Sequence, residues 1–148
     1  MTTQKIQLAI KATPDQVWNA LTDGSVTPAY YLGFAAEFDL AAGAPYRYTA
    51  GGGDMITGRV LDVEPGRSLS MTFNGHWAPD VDALPESTVR FAVFDPFMPM
   101  PGVTFLQCEH TDLPDTETAA HLEVGWVAIL SGLKTLLETG APLSGPPA

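Results

Sequence analysis

Apolar and polar residues alternate through most of this chain, and a helical period replaces that rhythm only near its two ends. In "QKIQLAIKA", Ile6, Leu8 and Ile10 fall on one side and Lys5, Gln7 and Ala9 on the other, the two-residue period of a half-buried strand. "TPDQVWNALTDG" then reads as a short helix. Thr13 is placed to cap it, Pro14 suits its first position, and Gln16 completes a capping box. Val17, Trp18 and Leu21 lie at helical spacing and should pack inward, with Gly24 ending the element. "VTPAYYLG" predicts a second short helix, with Thr27 as cap, Pro28 as start and a stop near Gly33.

From Phe34 the period is two. Phe34, Ala36, Phe38 and Leu40 alternate with Ala35, Glu37 and Asp39, and after the turn "AAGAP" Tyr46 and Tyr48 alternate with Arg47 and Thr49. "GGGD" and "PGR" are further turns around the strand "MITGRVLDVE", in which Gly58 predicts a bulge. Leu69, Met71 and Phe73 alternate with serines and a threonine. After the irregular, Pro-bearing stretch "NGHWAPDVDALP" come the strands "STVRFAVF" and "GVTFLQCEH". The last patterned run, His121 to Gly140, is helical. Leu122, Trp126, Ile129 and Leu133 form one stripe, Glu123, Ser131, Lys134 and Glu138 mark the opposite face, and Gly140 and Pro142 stop it. The predicted order is strand, two short helices, about six strands and a long helix. This is an α+β domain over residues 1–140, with a flexible Pro/Gly tail at 141–148. If the first strand pairs with the last, the antiparallel sheet curls around the long helix.

Composition narrows the function. The formal charge of −10 and the scattered seven Lys and Arg residues argue against nucleic acid and against anionic membrane surfaces. The lone Cys108 excludes an intrachain disulfide and a thiolate metal cluster. No signal-like or bilayer-spanning run is apparent, so a soluble cytoplasmic protein is expected. His76, His110 and His121 lack metal-ligand spacing, and no dinucleotide fingerprint, phosphate loop or nucleophile elbow is present; no metal, cofactor or catalytic residue is therefore expected. Cys108 and His110 share a strand face but lie about 7 Å apart at the backbone, so Cys108 reads as a core residue and His110 as a partly buried, hydrogen-bonded one. Glu37, Asp39 and Arg90 read as solvated sheet positions; the opposite register would turn Arg90 inward toward an acidic ligand.

Taken together, "IKATPDQVWNALTDG", "GRVLDVEPGRSLSMTF", "STVRFAVF", "CEHTDLP" and "GWVAILSGLKTLLETG" cover nearly the whole chain. In that order they resemble the SRPBCC superfamily of START and Bet v 1-like helix-grip proteins, and within it the branch named for the activator of Hsp90 ATPase. "FDPFMPMPGV" departs from the short acidic or glycine-rich turn common between the last two strands of that family. The resemblance implies a curved antiparallel sheet around a long C-terminal helix, enclosing a cavity for a small hydrophobic or aromatic, lipid- or polyketide-like molecule. Tyr30, Phe38, Tyr48, Phe73, Trp77, Phe91, His110, Trp126 and Leu130 are the candidate lining residues, with Trp126 beside Gly125 as roof. Cyclase-like or hydrolase-like activity is left open by it. Two alternatives follow: a protein-interaction module for an Hsp90-type chaperone, for which the chain has no room for an additional N-terminal domain, or a homodimer joined through residues 96–101 with a vestigial cavity.

Overall fold

The computed structural model describes residues 1–144; positions 145–148, the end of the predicted tail, lie outside the described residues. Strands β1 (Thr2–Ile10), β2 (Ala35–Phe38), β3 (Pro45–Ala50), β4 (Gly53–Glu64), β5 (Ser68–Gly75), β6 (Ser87–Phe94) and β7 (Thr104–Leu113) form one curved antiparallel sheet in the order β1-β7-β6-β5-β4-β3-β2. Helix α1 (Pro14–Thr22) and a 3-10 turn at Thr27–Ala29 follow β1, α2 (Pro79–Asp82) lies between β5 and β6, and α3 (Glu117–Thr139) follows β7. The α+β order expected from the pattern, and the helix grip that the resemblance implies, are what the chain adopts.

Alternation explains the sheet. Tyr46, Tyr48, Ile56, Val60, Leu69, Met71, Phe73, Val89, Phe91, Val93, Leu106 and Cys108 are buried and form the face under α3. Arg90 is exposed, its cross-strand neighbours being Ser70 and Glu109, which settles the register that turns it outward. Glu37 is also exposed and ion-pairs with Arg47 at 2.6 Å. Pairing with β7 makes β1 the edge strand opposite β2.

Helix α3 is clamped to β1 at both ends. Gln4 Nε2 donates to Ala119 O at 2.9 Å near its start, and Lys134 Nζ donates to Ala9 O at 2.6 Å near its finish. Glu138 accepts from Lys134 Nζ and from the Lys11 backbone N–H, both at 2.8 Å. Between these ties Leu122, Trp126, Ile129, Leu130 and Leu133 are buried against the sheet. By length and composition α3 is apolar enough to cross a membrane, a correction to the expectation that no run is; in this fold its apolar inner stripe has the sheet as its solvent.

Several local expectations hold and several shift. The Thr13–Gln16 capping box forms with both bonds, and Gly140, at φ 78°, ends α3. Helix α3 starts at Glu117, four residues before the predicted His121, because Thr116 Oγ1 accepts the Ala119 N–H and caps it. Thr27 does not cap: it is buried inside the 3-10 turn, where its hydroxyl donates to Phe34 O and accepts from Ala36 N, both at 2.9 Å. Asp23, not Gly24, is the C-cap of α1; Gly24 is required because a Cβ there would stand 2.0 Å from Ala36 O. The bulges of β4 fall on either side of Gly58 and not at it. Gly58 instead lets β5 and Tyr46 approach, since a Cβ would lie 2.3 Å from Thr72 O. Strand β7 runs past His110 to Leu113, and α2 occupies part of the stretch predicted to be irregular.

Candidate functional site

A cavity of about 300 Å³ opens between the first half of α3, the 3-10 turn region and the link from β5 into α2. From α3 it takes Thr118, His121, Leu122, Gly125, Trp126 and Ile129, positions three or four apart on one helical face. Tyr31, Leu32 and Phe34 supply one wall, Ile56 and Phe73 the floor on the sheet, and Trp77, Ala78, Asp80 and Val81 the other wall. Most of this surface is hydrocarbon or aromatic ring. Polar groups gather at the rim, where Thr118 Oγ1 donates to Asp80 Oδ2 at 3.2 Å and His121 Nε2 lies 3.8 Å from Glu117.

Gly125 makes the space. A Cβ built there meets nothing within 4 Å, whereas one at Gly132, two turns on, would stand 3.4 Å from Tyr30. The second glycine is therefore a packing contact and the first a gap in the helix face. Trp126 beside it is held rigidly. Its Nε1–H donates to His110 Nδ1 at 3.0 Å, and its ring meets Phe91, Tyr31 and His110 edge-on at 5.9 Å each.

Because His110 Nδ1 accepts from the indole, the imidazole proton resides on Nε2 and donates to Ser87 Oγ at 2.7 Å. The Ser87 hydroxyl is then free to donate to Phe73 O, 3.4 Å away. Burial pushes the pKa of His110 down to about 4, against a small opposing pull from Asp112, so the ring stays neutral and serves as a bracket for the roof. Burial likewise raises the Tyr31 phenol and the Cys108 thiol well above their ordinary values, so neither ionises near neutrality.

Three of the nine predicted lining residues, Phe73, Trp77 and Trp126, face this cavity. Phe91 and His110 stand behind Trp126, and Tyr48 packs at a tilt behind Tyr31 with ring centroids 4.4 Å apart. Tyr30 turns away and donates its hydroxyl to Ala20 O at 2.6 Å, Phe38 stacks on Tyr46 near the β2 edge, and Leu130 is buried in the core. Asp80, Thr118 and His121 at the rim carry no pattern that singles them out; His121 and Thr118 are marked only by lying one and two helical turns before Gly125 on α3, and Asp80 only by its place on α2 across the cavity.

Outside the cavity, Thr57 Oγ1, His76 Nε2, His76 Nδ1 and Asp82 Oδ1 form a hydrogen-bonded chain, with contacts of 2.7 and 2.6 Å. Asn74 Nδ2 donates to Glu86 at 2.9 Å alongside. The chain ties α2 to β4 and so holds the Trp77–Val81 wall in place. Among the described residues no group of three or more His, Cys, Asp or Glu is disposed to hold a metal ion.

An antiparallel sheet curled around a long helix, with an aromatic cavity along the first half of that helix, defines a helix-grip protein. The chain belongs to the activator of Hsp90 ATPase homolog 1-like family, whose model matches residues 11–138. Among solved structures it is similar to protein MLL2253 of Mesorhizobium loti, with 27% identity over 93% of this chain and 97% of that one and a TM-score of 0.74. It is similar in fold to the Aha1 dimer of Colwellia psychrerythraea, at 20% identity over 95% and 98% of the two chains and a TM-score of 0.72. DynU16, a protein of the dynemicin biosynthetic locus, shares the fold at 24% identity over 95% of this chain and 48% of its own, with a TM-score of 0.73. No match was found among curated proteins.

Proposed function

We propose that this chain binds a small hydrophobic or aromatic molecule in the cavity between the sheet and α3. The gap at Gly125 carries the reading: where a leucine would close the core, a glycine leaves an aromatic-walled space open beside a fixed tryptophan. The presence of DynU16 in a biosynthetic locus accords with a cavity that handles a natural product. No catalytic group is assigned. Cys108 is sealed in the core, and His110 engages both ring nitrogens within the protein. A cytoplasmic setting, suggested by the lone cysteine, is part of the same proposal.

Gly125→Leu is the decisive variant. It fills the space, adds helix propensity worth up to about 1 kcal/mol, and should raise the melting temperature while abolishing thermal shifts seen with a library of apolar aromatics. A parent chain that shows no shift across that library, and carries no ligand in native mass spectrometry, defeats the reading.

A second reading makes the chain an interaction module, acting on an Hsp90-type chaperone or on a second copy of itself. The apolar loop between β6 and β7 favours it, because Phe97 is fully exposed and Met98 is 65% exposed. The family's name and the dimeric Colwellia relative point the same way. An ATPase assay with a cognate chaperone separates the first case: absence of both stimulation and pull-down removes it.

A further inference from the structure

The charges around the cavity are one-sided. Asp80 stands in its wall, and Glu117 sits beside the other ionisable rim side chain, His121. None of the seven Lys and Arg residues lines the cavity. The start of α3, where free backbone N–H groups would welcome an anion, is already supplied by the chain itself: Thr116 takes the Ala119 N–H, and Glu117 occupies the first turn. The walls meanwhile present rings from Phe34, Phe73, Trp77 and Trp126.

We propose, building on the reading that this cavity holds a ligand, that its occupant is a neutral or cationic aromatic molecule whose polar group meets Asp80, and that carboxylates and phosphates are rejected. An anion at the rim loses hydration beside Asp80 with no cation in return. An ammonium or hydroxyl in the same place gains a hydrogen bond to the carboxylate, and a cation also gains the attraction of the ring faces. Size agrees with this class. An apolar cavity of roughly 150 Å³ takes benzene, so about 300 Å³ accommodates two fused rings with a short polar arm.

Naphthylmethylamine, naphthylmethanol and naphthylacetate share one ring system and differ in charge. They are titrated against the full chain at pH 8, above the range in which histidine side chains ordinarily change charge. Calorimetry gives the affinities, and quenching of tryptophan fluorescence reports occupancy, since Trp77 and Trp126 line the site. The amine is expected to bind about tenfold or more tightly than the acetate, with the alcohol between them and a gap that narrows as salt is added. Asp80→Asn, whose exposed position leaves the fold intact by circular dichroism, should bring the amine to within about twofold of the alcohol. Acetate binding equal to the amine's, or a charge preference untouched by Asp80→Asn, overturns the inference and leaves ligand binding by the cavity standing. Failure of all three probes to bind overturns the inference together with the reading beneath it.

Discussion

His110 holds a neutral imidazole where burial strips a charge of water and the pull of Asp112 does not make up for it. Its native pKa of about 4 lies below the 6.5 of the free side chain, so between those values the unfolded chain binds more protons than the folded one. Stability from this residue is complete above about pH 6.5 and falls as pH drops toward 4. A shift of this size corresponds to about 3 kcal/mol. Urea melts across that window should show the loss in the parent and a flatter profile in His110→Gln. A parallel slope in both proteins would contradict the assignment. Glycines offer a second contrast at this scale. Gly58→Ala drives a methyl into Thr72 O and the Tyr46 ring and should cost about 1–3 kcal/mol or more. Gly125→Ala enters open space and should stabilise by up to about 1 kcal/mol. Thermal melts that rank the two variants the other way would refute this reading of the glycines.

At the scale of elements, α2 is a single turn with little core of its own, burying only Val81. The His76 bridge from Asp82 to Thr57 anchors it. His76→Gln should therefore speed amide exchange across residues 79–84 and the adjoining Trp77 while leaving β6 and β7 protected; uniform loosening of the sheet would place the role of His76 elsewhere. The same element marks where sequence reading stops. Strands β3, β5 and β6 are legible because strict alternation with one buried face leaves one register, and α1 is legible because its capping box is local. The start of α3 is hidden because "ETAA" has no apolar stripe, although Thr116 signals the cap. The cavity is less legible still. Tyr30 and Tyr31 are neighbours in a turn without periodicity, so nothing in the string says which one faces inward. Phe91, His110 and Tyr48 look like lining residues and instead back the residues that line. Being buried and aromatic does not separate the first layer from the second.

For the molecule as a whole, the loop at residues 96–101 is an exposed apolar surface that the core does not use. Its apolar side chains stand at the far end of the β6–β7 hairpin, and a homodimer built on them predicts a concentration-dependent mass in light scattering that Phe97→Ser with Met100→Ser reduces to a monomer. An unchanged mass in the double variant removes that interface.

The pairing of β1 with β7 has a consequence in time. Its partners lie far apart along the chain, as with Gln7 and Gln107, which hydrogen-bond across 100 positions. A ribosome adding about 5–20 residues per second leaves β1 without that partner for on the order of ten seconds. During that interval the aromatic face of the growing sheet has no cover, and the cavity does not exist until α3 arrives and is tied down at Gln4 and Ala9. Lesions in those ties should therefore reveal themselves first as insoluble nascent protein, at temperatures where the finished molecule would still be folded.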